Sequence, residues 1–194
     1  MIGHARGLEQ HFVADGWGLE RHPFAADGFV LLDPSNDPAG ARQSADPLAA
    51  LRRIADSDAR FLSRGDRSGT HIKEQELWRA AGIHPDGTSW YRTAEAGMAG
   101  SAATARDAVE RGAYTLVDRA TYLTARPSLE VVAEGDPPLL NVLSILPVNP
   151  SRAAETFVRW LLGDDAQALM GEFGRAEHGV ALFLRRDQIP ASET

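Results

Sequence analysis

This sequence predicts an α/β fold with a mostly parallel or mixed sheet, on three observations. Short apolar runs that read as strands alternate with amphipathic stretches of helical period. Dense glycine and proline clusters separate the two kinds of segment. The chain has 194 residues, 43% of them hydrophobic and 24% charged, which suits one ordinary domain or two lobes sharing it.

Taken in order, Gly7 to Ala14 reads as a short helix closed by the Asp15-Gly16 turn. Gly28–Leu32 is a compact apolar strand, stopped by the breakers Asp33-Pro34-Ser35-Asn36-Asp37-Pro38. Pro47 to Ser57 places Leu48, Leu51 and Ile54 on one helix face. Arg60–Ser63 is a short strand leading into a glycine-rich turn, and Ile72 to Ala81 is the helix that follows. Ala102 to Arg111 predicts a helix ended by Gly112, and Ala113–Val117 a strand. Asp118 to Ala125 is a short helix with an acidic cap. Leu129–Ala133 and Val142–Val148 are further strands. Arg152–Leu162 predicts a helix burying Phe157, Val158, Trp160 and Leu161, and Asp164–Phe173 another.

Composition excludes several classes of function. The formal net charge of −7 argues against broad affinity for nucleic acid or an anionic membrane, since both need a basic face. It leaves room for a buried anion site, where local donors outweigh a distant screened field. With no cysteine there are no disulfides and no thiolate metal sites. No apolar run approaches the roughly 20 residues that span a bilayer. The first residues lack the basic-then-apolar pattern of a secretory signal, so the chain as written is expected to stay in the cytoplasm.

The segment richest in chemistry is Phe61-Leu62-Ser63-Arg64-Gly65-Asp66-Arg67-Ser68-Gly69-Thr70-His71. A glycine-rich polar turn before a helix aims backbone N–H groups and the positive helix end at one point, which favours an oxyanion. Arg64 adds a forked cationic donor, and Ser68 and Thr70 add hydroxyls. Gly69 lets the backbone approach closely, and Asp66 would orient Arg64 by a salt bridge. The same spacing also fits an ordinary helix N-cap beside a surface Arg–Asp pair.

Other readings have less to stand on. Arg64-Gly65-Asp66 matches the cell-adhesion tripeptide, but three residues recur by chance. Ser68 lies outside any Gly-x-Ser-x-Gly elbow, and no Gly-x-x-x-x-Gly-Lys-Ser/Thr loop is present. The histidines at 4, 11, 22, 71, 84 and 178 show no metal-ligand spacing. His71 and Glu74 share a helix face, which usually means solvated surface, and Asp164-Asp165 suits a helix start. The four tryptophans are expected in the core or in lobe packing, with Trp90-Tyr91 as a possible cleft lining. An enzyme acting on an anionic metabolite would lack a candidate base, so none of these residues is assigned to catalysis.

The Phe61–His71 run and Gly112–Tyr122 resemble the tungstate-binding solute receptors of ABC transporters, a family of two-lobed periplasmic binding proteins. Glu134-Gly135-Asp136, Leu140-Asn141-Val142, His4-Ala5-Arg6, the Asp37–Gly40 turn and Val158–Leu161 add to the resemblance, which runs from Met1 to about Phe183. It implies a two-lobed fold with one lobe largely complete and the other missing its N-terminal strands. Residues 1–28 would be a remnant of the first lobe, 29–150 the second lobe with the anion turn, and 151–194 helices returning to the first.

The implied function is capture of a tetrahedral oxyanion, most readily tungstate, for an ABC importer outside the cytoplasm, without catalysis or cofactor. Arg64, Ser68, Gly69 and Thr70 would hold the anion, with Asp66 in support. Asp118, Arg119 and Tyr122 would serve lobe structure or cleft closure. The implied partners are the oxyanion and a transporter permease, with self-association through the incomplete lobe. The alternative is a truncated or cytoplasmic binding or regulatory module of the same fold without transport activity.

Overall fold

The computed structural model describes residues 1–135 and 137–193; Asp136, part of one resemblance segment, lies outside them. In chain order the elements are β1 (Ile2–Gly3), α1 (Arg6–Ala14), β2 (His22–Pro34), α2 (Pro47–Asp56), β3 (Phe61–Ser63) and α3 (Gly69–Ala80). They continue with β4 (Tyr91–Thr93), α4 (Ser101–Arg111), β5 (Tyr114–Asp118), α5 (Arg119–Ala125) and β6 (Leu129–Ala133). The last are β7 (Leu140–Ile145), α6 (Arg152–Leu162), α7 (Asp164–Glu172), α8 (Arg175–His178) and β8 (Leu184–Arg185).

The chain divides into two compact units, Gly28–Leu139 and a terminal unit of Met1–Asp27 with Leu140–Thr194. The second boundary falls at Leu140, where 150 was expected from sequence. β7 accounts for the difference, because it pairs antiparallel with β1, Ile2 opposite Ile145 and Gly3 opposite Ser144.

The Gly28–Leu139 unit is a mixed sheet covered on both faces. β5 pairs antiparallel with β2 and parallel with β3, and β3 pairs parallel with β4. β6 pairs antiparallel with β2 on its other side. Alternation along β2 sends Phe29 and Leu31 to one face and Val30 and Leu32 to the other. A strand buried on both faces needs a continuous apolar run, which is what Phe29–Leu32 supplies. One face packs Leu51 and Ile54 of α2 and Leu77 and Trp78 of α3 against Phe61 and Leu116. The other packs Ala105 and Ala108 of α4 against Leu62 and Val117.

Local chemistry sets the helix limits. Asp46 caps α2 by accepting from Ala49 N–H, with Pro47 at the first helical position. Asp118 caps α5 the same way through Thr121 N–H, and Gly112 closes α4 in the left-handed conformation. β2 is longer than the expected Gly28–Leu32, since its first half pairs with β8, Ala25 opposite Arg185. β7 begins and ends earlier than the expected Val142–Val148.

The terminal unit has a small core of Phe24, Ala25, Ile145, Val158 and Leu161. Helix α6 has the expected limits but not the expected burial. Val158 and Leu161 are buried, whereas Phe157 and Trp160 are 45% and 47% exposed and stack on each other. The inward stripe of an eleven-residue helix is narrow, so an apolar helix need not be buried all round. Trp17 is likewise exposed, where core or lobe packing was expected for the tryptophans. No helix among the described residues is long and apolar enough to cross a membrane.

Candidate functional site

The anion turn lies in the Gly28–Leu139 unit, between the end of β3 and the start of α3. Helix α3 starts at Gly69, one turn before the expected Ile72, because Ser68 is its N-cap and accepts from His71 N–H at 3.4 Å. Gly69 and Thr70 therefore occupy the first helical turn, whose N–H groups have no intrahelical acceptor. Thr70 is buried. Gly65 and Arg67 both have positive φ, 65° and 59°, and the N–H groups of Gly65, Arg67 and Ser68 are met within the turn by Ser63 Oγ, His71 Nδ1 and Asp66 Oδ1. For Arg67 this conformation costs about 1–2 kcal/mol, a strain kept at a turn of functional composition.

Two glycines are sterically required here. A Cβ on Gly65 would meet Thr93 Cγ2 at 2.3 Å, and one on Gly97 would meet the Arg64 carbonyl oxygen at 2.0 Å. The Gly97–Gly100 loop thus lies directly against the backbone of Arg64, and brings the start of α4 to the same place.

Arg64 is held from two sides. Its Nη2 donates to Asp66 Oδ2, and its Nη1 donates to Ser101 Oγ at 3.0 Å. Its Nε is buried and has no hydrogen-bond partner among the described residues. Asp66 also accepts from Ser68 N–H at 3.0 Å and from the Ser68 hydroxyl. Burial works to raise the Asp66 pKa, but the hydrogen bonds from Ser68 and the Arg64 guanidinium outweigh it and hold the carboxyl below its usual range. Asp66 stays ionised and Arg64 stays aligned. The arrangement can bind a compact anion, and no group of three or more potential metal ligands occurs among the described residues.

All five residues named from the sequence, Arg64, Asp66, Ser68, Gly69 and Thr70, fall in this one turn. Ser68 meets Asp66 and the helix start. Ser101 was missed, although Gly97-Met98-Ala99-Gly100-Ser101 repeats the glycine-turn-then-helix pattern that marked the first turn. Glu74 is the clearest correction. It is 2% exposed, where solvated surface was expected. Its carboxylate Oε1 accepts from the Tyr91 hydroxyl at 2.6 Å and from Trp78 Nε1 at 3.3 Å. Trp90 and Tyr91 are core residues packed with Phe61 and Trp78, not a cleft lining.

A family model described as a PBP superfamily domain matches residues 2–165. The chain is 38% identical over 194 residues to the tungstate-binding protein TupA of Peptoclostridium acidaminophilum, an overlap of 94% of this chain and 66% of that protein. It is 40% identical over 198 residues to a Haloferax volcanii protein named as an ABC transporter anion-binding protein, covering 95% of this chain and 56% of the relative. The chain therefore spans less than two thirds of the length of either relative. Among solved structures, the tungstate-binding protein TupA of Desulfovibrio alaskensis G20 superposes with a TM-score of 0.84 at 35% identity. That match covers 95% of this chain and 77% of the other.

Proposed function

The chain belongs to the PBP superfamily, in the family of the tungstate-binding receptors, and from that membership we propose that it captures a tetrahedral oxyanion, tungstate foremost, as the solute receptor of an ABC importer. The observation that carries the reading is the unmet Nε donor of Arg64. A buried donor without a partner costs about 1–3 kcal/mol, and an oxyanion oxygen removes that cost. Thr70, the N–H groups of Gly69 and Thr70, and the α3 helix end supply further donors. Ser68 keeps Asp66 in place, Asp66 keeps Arg64 in place, and Ser101 fixes the other edge of the guanidinium. Such a site binds and releases; nothing in it serves as nucleophile or base. On the same reading it acts outside the cytoplasm with a transporter permease as its protein partner, which the name of one relative, an ABC transporter anion-binding protein, supports.

Thermal unfolding with and without millimolar tungstate, with sulfate and phosphate as controls, tests the proposal. A thousandfold excess over Kd stabilises by about 4.1 kcal/mol. For a chain of this size that raises Tm by roughly 8–16 °C. A cooperative transition unmoved by every oxyanion refutes it.

A second proposal concerns partners: the terminal unit associates with another copy through its apolar surface. Phe157 and Trp160 stack in the open, and an open groove of about 350 Å³ lined by Met1, Ile2, Val148 and Phe157 lies in the same unit. A monomer by light scattering at tens of micromolar refutes this one.

A further inference from the structure

Behind the anion turn lies a carboxyl that the proposed binding does not use. Glu74 sits on α3, the helix whose first turn is Gly69–Thr70, and four residues along it from Thr70. At about 1.5 Å per residue this is roughly 6 Å down the helix axis from Thr70, on the side away from the proposed anion. The group is buried among Leu31, Leu51, Phe61 and Leu116, from β2, α2, β3 and β5. A fixed charge in such surroundings is felt at that distance far more strongly than in water.

The carboxyl also touches the turn through a hydrogen-bonded chain. The hydroxyl of Ser63, the last residue of β3, is hydrogen-bonded to Glu74 and accepts the N–H of Gly65 at 3.1 Å. Gly65 lies between Arg64 and Asp66. Tyr91 from β4 and Trp78 from α3 donate to the same carboxyl, and Gln75 Nε2 donates to the Tyr91 oxygen at 2.7 Å. The charge acting on Glu74 from the loop after α3 is Asp86, which disfavours ionisation. Of the turn's own titratable groups, Asp66 is committed to Arg64, and His71 Nδ1 accepts the Arg67 N–H at 2.9 Å.

We infer that Glu74 couples oxyanion capture to proton uptake: the turn binds a dianion most tightly when the carboxyl behind it is neutral, so capture shifts Glu74 toward its protonated form. This rests on the oxyanion reading of the Arg64–Thr70 turn. Burial raises the Glu74 pKa to about 7 against the hydrogen bonds from Tyr91, Ser63 and Trp78, so the group changes charge in the range where a receptor works. A bound dianion raises it further. By linkage, each tenfold of affinity lost on ionisation equals one unit of pKa rise on binding.

The test is isothermal titration of the full chain with tungstate, from pH 6.5 to pH 8.5, in pairs of buffers that differ in ionisation enthalpy. Binding is expected to weaken about tenfold across that range. Proton uptake is expected to be greatest near pH 7.5 and to fall away toward the lower pH. Glu74→Gln should bind with an affinity that no longer varies with pH and without uptake. Binding by the native chain with no buffer dependence overturns the coupling, and does so without the variant. Uptake that persists in a folded Glu74→Gln chain assigns it to another group such as His71 and overturns it too. Absence of tungstate binding at every pH removes both this inference and the oxyanion reading, whereas binding without uptake removes the coupling alone.

Discussion

The two units solve the same folding problem with unequal means. Gly28–Leu139 covers both faces of its sheet with helices, and its aromatic side chains Phe61, Trp78, Trp90 and Tyr91 form one buried cluster. The terminal unit has two small cores, one around Phe24, Ile145 and Val158 and one of Ala26, Val142 and Ile189, and leaves Leu8, Trp17, Leu169 and Phe173 more than half exposed. Small cores stabilise weakly. The difference separates roles. The unit that closes its own core carries the whole Arg64–Thr70 turn together with Ser101, so that turn needs no help from outside its unit to keep its shape.

Substitutions test the contrast, the largest expected effect first. Phe61→Ala should cost about 3–5 kcal/mol in urea unfolding, since it opens a cavity beneath Trp78 and Tyr91. The contrast breaks if Trp160→Ser in α6 costs as much. Arg64→Ala should remove roughly 2–5 kcal/mol of tungstate affinity. It also leaves Asp66 without its cation, so Arg64→Lys is the matched control: it keeps the charge but loses the fork that joins Asp66 to Ser101.

A smaller effect is the pH dependence of stability. The Glu74 pKa is raised from 4.5 to about 7 in the fold, so the folded state holds a proton that the unfolded chain has lost. Its contribution is fully present below pH 4.5 and disappears as pH rises through 7, about 3 kcal/mol in all. Unfolding free energies at pH 5 and pH 8, native against Glu74→Gln, should show that slope flattened in the variant. The smallest expected effect sharpens the comparison from the other side. Trp160→Ser should change stability by no more than about 0.5 kcal/mol while lowering self-association in light scattering. An unchanged particle size would mean that this face is not the contact.

The Arg64–Thr70 turn was legible because its signals are local. Glycines, a capping serine and an Arg–Asp pair within seven residues declare a turn and a helix start whatever lies around them. The composition Ser63–Thr70 therefore marked the turn before any packing was known. Legibility failed where the partner is distant in sequence. Ser101 reaches Arg64 from 37 residues away, and Tyr91 reaches Glu74 from 17. The strands β1, β4 and β8 are too short to carry a period and exist because a distant neighbour pairs with them.

By itself, then, the sequence determined the α/β class, the order of most helices, and the turn with Arg64, Asp66, Ser68, Gly69 and Thr70. Those follow from periodicity, capping and backbone preference, which act over a few residues. Only the tertiary structure decided that Glu74 is buried, that Phe157 and Trp160 are not, and that Ser101 clamps Arg64. Burial depends on which surfaces meet, and a helix pattern shows that a face is apolar without showing whether anything covers it.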